Sequence, residues 1–233
     1  MGAKQRRINV ICVILCLIIF VATIPVRAES KNDQIDGLDG FVNTAENYRS
    51  YYESIADFPA AGQTITIEAA EYNQNSGGTV ERLSDYKGEK NVLAIADKQD
   101  SLTYAVEVPE PGRYQVALTY YPLKSDERPI ELGLMVDGEY PFDGAEKFCL
   151  KRVYQNETAI LKDNSGNEYS PRQVEYFNWF TEYLKIIDGT VDDPVELYLP
   201  AGKHNITILT ISQPYVLKSI ILTPPKKVAG YQE

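Results

Sequence analysis

"YAVEVPEPGRYQVALTYY", residues 104–121, reads as two strands and the turn between them. On the first side, within "SLTYAVEV", Leu102, Tyr104, Val106 and Val108 fall at every second position; on the second, Tyr114, Val116, Leu118 and Tyr120 do the same. A period of two puts alternate side chains on one face of a strand, so each segment has one face to bury. Between them stand Pro109 and Gly112, whose fixed φ and conformational freedom suit a tight turn. The stretch predicts two strands, each with one buried face, joined by a tight turn.

The rhythm repeats outward from these two strands. "TITIEAAEY" alternates Ile65, Ile67 and Ala69, and "IELGLMVDG" alternates Ile130, Leu132, Leu134 and Val136; "PVELYLPAGKHNITILTI" and "YVLKSIIL" follow near the end. Turn chemistry recurs at Asp137–Gly138 and at Pro200 to Gly202. Only "TAENYRSYYESIAD" breaks toward a helix, with Tyr48, Tyr51, Tyr52 and Ile55 at helical spacing behind a Thr44 cap. Many short strands with tight turns predict an all-β fold, an antiparallel β-sandwich with one short N-terminal helix. Residues 142–193 interrupt the rhythm with a polar run, "LKDNSGNEYSPRQ", too polar for a core strand and too long for a simple hairpin loop. Such long elaborations usually carry function.

The first 28 residues read as an export signal: Lys4, Arg6 and Arg7, then an apolar run from Val10 to Ile24, then "PVRA". The same segment also fits an uncleaved anchor; either way the body lies outside the membrane, secreted or held at the cell surface. Residues 29–63 follow as a linker with the short helix, 64–223 as the sandwich, and 224–233 as a tail or the start of a further domain. "VAGYQE" closes the chain with no terminating feature, as expected of a piece of a longer protein.

The signal contains four of the 23 basic residues and none of the 33 acidic ones, leaving 19 − 33 = −14 for the remainder. That charge repels phosphate backbones, which argues against a nucleic-acid partner. Cys12 and Cys16 fall in the signal, so Cys149 stands alone in the mature chain, and neither an internal disulfide nor a thiolate metal cluster can form. His204 is the sole histidine and has no nucleophile-elbow sequence to serve, so it reads as structural or surface-lying. No catalytic residue is predicted, and the chain is read as a non-enzyme.

Five segments in order carry a family resemblance: "IEAAEY" (67–72), "YAVEVPEPGRYQVALTYY" (104–121), "GLMVDGEYPF" (133–142), "VELYLPAGKHNITIL" (195–209) and "KSIIL" (218–222). Together they resemble carbohydrate-binding modules of the galactose-binding-like jelly-roll class. The insertion "LKDNSGNEYSPRQVEYFNW" resembles N-terminal regions of extracellular solute-binding proteins of Gram-positive sugar importers, where such a module precedes the solute-binding part. The resemblance implies a bacterial, extracellular, non-catalytic module that binds a polysaccharide or oligosaccharide, with an ABC permease or a downstream solute-binding domain as further partner. Two alternatives accompany it: a docking module of an importer without glycan affinity, and an accessory domain of a polysaccharide hydrolase or lyase. Calcium-binding members use an E-A-E element and an aspartate before the last strand. Here Ala70 follows Glu68 and Ala69, Glu71 comes one position late, and Lys218 replaces the aspartate, so a structural calcium has an incomplete ligand pattern and no cofactor is expected.

A sugar ring offers an apolar C–H face and a rim of hydroxyls, so its receptor needs a flat aromatic platform and directed polar groups. Residues 164–180 hold both kinds. The expected carbohydrate-binding residues are Arg172, Gln173, Glu175, Tyr176, Asn178 and Trp179. A structural alternative stays open: Tyr176, Trp179, Phe180 and Tyr183 share helix-like spacing, Arg172 could pair with Glu175 or another carboxylate, and Trp179 is either a platform or a plug that holds the loop down.

Overall fold

The computed structural model describes residues 44–78, 80–96, 100–186 and 193–225, without the side chains of 44–47. The export signal, the first part of the linker and the tail from 226 lie outside these residues, as does the side chain of Thr44, the expected cap.

The chain begins with helix α1 (Thr44–Ile55), then β1 (Ile65–Glu68), a single 3-10 turn over Ala69–Glu71, β2 (Gln74–Ser76), β3 (Val80–Tyr86) and β4 (Glu89–Ile95). The two strands read first from the sequence are β5 (Ser101–Val108) and β6 (Gly112–Pro122), followed by β7 (Ile130–Val136) and β8 (Phe148–Leu150). The insertion supplies β9 (Tyr154–Asn156), β10 (Leu161–Lys162), β11 (Glu168–Tyr169), β12 (Gln173–Glu175) and β13 (Phe180–Tyr183). Three strands finish the fold: β14 (Glu196–Leu199), β15 (Gly202–Ser212) and β16 (Tyr215–Thr223).

β5 and β6 follow one another but do not pair; each enters a different sheet. One sheet runs β13-β6-β16-β4-β3, with β14 also on β6 and β1 also on β16; the other runs β2-β5-β15-β7-β8. Every pairing is antiparallel. The fold is therefore an antiparallel β-sandwich with a long insertion and, among the described residues, one short α-helix. The tight turn between β5 and β6 is a crossover between layers. The turn and the alternation are as read; a local pattern does not say whether the next strand returns beside its predecessor or crosses the core.

The alternating residues fill the space between the sheets. Leu102, Tyr104, Val106, Val108, Tyr114, Val116, Leu118, Tyr120, Ile130, Leu132 and Leu134 are all buried, against Ile206, Ile208, Leu217, Ile220 and Leu222 of the last strands. The buried tyrosines hold their hydroxyls to fixed acceptors, as a phenol taken out of water must. Tyr104 donates to the Ala69 carbonyl at 3.1 Å, and the Tyr215 hydroxyl lies 3.1 Å from Thr210 Oγ1.

Helix α1, grouped above with the linker, packs on the sandwich through Tyr48 and Ile55. It also covers a sheet edge. The Tyr48 hydroxyl accepts the Glu196 N–H at 2.8 Å and the Tyr51 hydroxyl accepts the Tyr198 N–H at 3.2 Å, so the outer donors of edge strand β14 find partners on the helix.

The β3–β4 hairpin carries no sequence expectation above. Its turn places Lys87 at φ 52° and Gly88 at φ 88°, the paired left-handed conformation of a two-residue hairpin loop. Lysine at the first of these positions hides the turn, since asparagine or aspartate is its usual signal.

Candidate functional site

Between β8 and β13 the chain leaves the sandwich as a two-stage hairpin arm. Its proximal part pairs Tyr154 with Glu175, Gln155 with Val174, and Asn156 with Gln173. The ladder extends at both ends: the Tyr176 N–H donates to the Val153 carbonyl at 2.7 Å, and the Glu157 N–H donates to the Arg172 carbonyl at 2.9 Å. The distal part pairs Leu161 with Tyr169 and Lys162 with Glu168. Its tip, "DNSGN", closes on Asp163, whose carboxylate accepts the N–H groups of Ser165 and Asn167 and the Asn167 amide, with Gly166 at φ 86°. The Asn167 side-chain bond is the largest influence holding the Asp163 carboxyl below its ordinary value. The polar run that could not be a core strand is thus a built turn on a protruding ribbon.

The arm concentrates exposed apolar surface. Of the ten exposed large hydrophobics among the described residues, seven lie within it: Val153, Tyr154, Ile160, Leu161, Tyr169, Tyr176 and Phe177. Amide side chains stand between them at Asn156, Asn164, Asn167, Gln173 and Asn178. A protein does not expose aromatic and aliphatic groups in one such run without a cost to solubility, which is why patches of this kind mark contact surfaces.

Because facing residues in an antiparallel pair share a face, the register divides the six expected residues. Gln173 and Glu175 lie on the face with Asn156 and Tyr154, and the Gln173 amide donates to Asn156 Oδ1. Arg172, Val174 and Tyr176 lie on the other face. Arg172 is exposed, and among the described residues its side chain makes no hydrogen bond or ion pair. The alternative pairing of Arg172 with Glu175 does not form. Glu175 binds Arg152 instead, at 2.5 Å between Oε1 and Nη1. Sequence reasoning missed Arg152, which has no neighbouring signal in the chain; its partner is brought back by the arm.

Residues 176–179 lead from the arm onto the sandwich with no regular structure, and Phe180–Tyr183 is strand rather than helix, which corrects the helix-like spacing of these aromatics. The Asn178 amide donates to the Tyr176 hydroxyl at 2.9 Å while its carbonyl accepts the Trp179 N–H. Trp179 lies on the outer face of the seven-stranded sheet. Its ring meets Tyr121 at 5.5 Å and Tyr86 at 6.4 Å between centroids, both edge-on, and its indole N–H donates to the Lys87 carbonyl at 3.3 Å. Val92, Val216, Leu83 and Leu123 complete this cluster. In these contacts Trp179 acts as the plug. Tyr176 and Asn178, beside it, stay open to solvent.

Beneath the arm's root, β13 supplies a second brace. Glu182 accepts the Lys151 N–H at 2.9 Å and pairs with the Lys151 ammonium at 3.1 Å; the Tyr120 hydroxyl lies 2.7 Å from the Lys151 carbonyl and 3.1 Å from Glu182 Oε2. Burial, then the Glu182 charge, push the Tyr120 phenol well above its ordinary range.

The ionisable groups considered for chemistry have structural partners. His204 Nδ1 lies 2.7 Å from Asp137 Oδ2, and Nε2 lies 2.9 Å from the Pro200 carbonyl, so both ring nitrogens are engaged in holding a turn. Cys149 sits in β8, and burial pushes its thiol up. Among the described residues no three His, Cys, Asp or Glu side chains converge as a metal site. Where the calcium pattern calls for an aspartate, the Lys218 ammonium pairs with Glu89 at 2.5 Å, while Glu68 and Glu71 are exposed. A cation at that place does not fit a carboxylate shell for calcium. Asp100, 1% exposed, accepts the Gly78 N–H through Oδ1 and leaves Oδ2 without a partner.

No family model and no curated protein matches the chain. Solved structures that resemble it include a β-(1,4)-mannanase of Podospora anserina with a family 35 carbohydrate-binding module, at 12% identity, 72% of this chain, 29% of that chain and a TM-score of 0.44. This chain therefore spans less than a third of the mannanase's length. The C-terminal family 6 carbohydrate-binding module of a laminarinase from Zobellia galactanivorans matches at 15% identity, 69% of this chain, 98% of that chain and a TM-score of 0.41. A family 35 carbohydrate-binding module from Clostridium thermocellum matches at 10% identity, 69% and 98% coverage, and a TM-score of 0.38.

Proposed function

We propose that the protein is a non-catalytic, extracellular carbohydrate-binding module whose ligand surface is the arm from Val153 to Trp179. The observation that carries this is the placement on that arm of seven of the ten exposed large hydrophobics among the described residues. They are interspersed with amides and with the exposed guanidinium of Arg172, which has no partner among the described residues. Tyr169 and Tyr176 supply faces for C–H stacking, and Arg172, Gln173 and Asn178 supply directed bonds to hydroxyls. Trp179 contributes by holding the arm's root on the sheet. Glu175 contributes through Arg152. The acidic excess of the chain favours a neutral glycan over a polyanion.

The export signal read in residues 1–28 supports an extracellular location, and no helix among the described residues is long and apolar enough to cross a membrane. A place in an ABC-type sugar uptake system is supported only by the resemblance of residues 161–179, and an accessory role beside a polysaccharide hydrolase fits the same surface. Affinity electrophoresis and calorimetry with soluble β-1,4-mannan, laminarin and xylan test the assignment. Binding to at least one of them, weakened about tenfold in Tyr176→Ala, supports it. Failure to bind any of the three counts against it.

A further inference from the structure

We propose that Arg152 is a positioning residue: it locks the arm to the loop between β6 and β7, so that a ligand meets one preformed surface rather than a hinged ribbon. This rests on the arm being the ligand surface.

The geometry is specific to arginine. Nε donates to the Arg128 carbonyl at 2.7 Å, Nη1 to the Leu123 carbonyl at 2.9 Å and to Glu175 Oε1 at 2.5 Å, and Nη2 to Ser125 Oγ at 2.6 Å. Four of the five guanidinium N–H groups are thus used, three on the β6–β7 loop and one on the arm. The Arg152 side chain is 2% exposed and that of Glu175 is 9% exposed. A charge pair taken so far out of water is held only while its hydrogen bonds are complete, and removing one partner strands the other. Tyr154 adds a further tie, donating to the Glu127 carbonyl at 3.2 Å.

A two-stranded ribbon alone is barely stable in water, so an arm that protrudes as this one does needs its pose set from its root. Arg152 does this from inside. The loop it grips carries a second ordered group: Arg128 directs Nε and Nη2 at one oxygen of Asp126, at 2.9 and 2.6 Å, on the solvent side. Holding the arm also holds the loop, and the two move, or stay still, together.

Lysine at this position has three donors on a flexible stem and cannot reproduce the fork. The test is hydrogen exchange on the intact protein and on Arg152→Lys, with calorimetry against laminarin and β-1,4-mannan. The expected result is that amides of 123–129 and 153–176 both exchange about tenfold faster or more in Arg152→Lys, while β5, β6 and β15 keep their protection. The expected affinity for whichever glycan the parent binds falls about tenfold. Loosening of the arm without the loop, or of neither, overturns the proposal, as does unchanged affinity. The double variant Arg152→Met with Glu175→Leu removes both charges and fills the space; joint loosening at a near-parental melting temperature separates positioning from loss of fold. If the parent binds neither glycan, the glycan assignment fails for them, and the exchange comparison still decides the positioning role.

Discussion

The indole N–H of Trp179 donates to the backbone carbonyl of Lys87 at 3.3 Å, across 92 positions of sequence. That bond joins the end of the arm to the β3–β4 turn, the one hairpin with no clear sequence signal. Trp179→Phe keeps most of the edge-on packing on Tyr86 and Tyr121 and loses the bond; the expected cost is about 1 kcal/mol in urea unfolding. Trp179→Ala leaves the outer sheet cluster without its cover and is expected to cost about 3 kcal/mol. As the only tryptophan, Trp179 also reports the arm's root by its own fluorescence.

Gly112 opens β6 against the segment that precedes β1. A methyl group there would stand 2.6 Å from the Ala61 Cα and 2.8 Å from its nitrogen, both backbone atoms that cannot turn aside. Gly112→Ala is expected to destabilise by about 2 kcal/mol or more, read as a lower melting temperature. Gly133→Ala is expected to act the same way, since its Cβ would lie 2.8 Å from the Glu146 carbonyl oxygen.

Tyr48 and Tyr51 serve edge strand β14 with hydroxyl oxygens. Tyr48→Phe leaves the Glu196 N–H without its acceptor and is expected to cost about 1–3 kcal/mol. Tyr51→Phe, with the longer bond, is expected to cost less. Equal and negligible effects in thermal unfolding would show that water replaces both hydroxyls.

Acid sensitivity follows from Asp137. Burial raises its carboxyl, but the Asn205 N–H and the His204 ring outweigh that and hold it below the ordinary value. A carboxyl depressed in the folded state contributes stability fully above its unfolded pKa, about 3.9, and loses it as pH falls through the folded value. Stability is therefore expected to drop as pH falls below about 4. Asp137→Asn is expected to be less stable at neutral pH and to show a shallower acid loss. An identical acid slope in both proteins would remove Asp137 from the account.

The sandwich was legible because burial on one face writes itself into alternate positions: Leu102 to Val108 and Tyr114 to Tyr120 are core residues as read. Layer assignment was not, since nothing in "VPEPGR" tells a hairpin from a crossover. For the arm, the composition pointed to the right segment, but the face of each residue depended on a register set by Asp163 and its turn. Arg152 was invisible for a simple reason. Its environment comes from four distant groups, and only the folded arm puts Glu175 beside it.

The most direct measurement is a hydrogen-exchange footprint of the intact protein with and without a saturating bound glycan from the mannan, laminarin and xylan set. If the arm is the ligand surface, added protection is confined to residues 153–179 and the adjoining 123–129 loop. Protection elsewhere on the sandwich, with the arm unchanged, would contradict it.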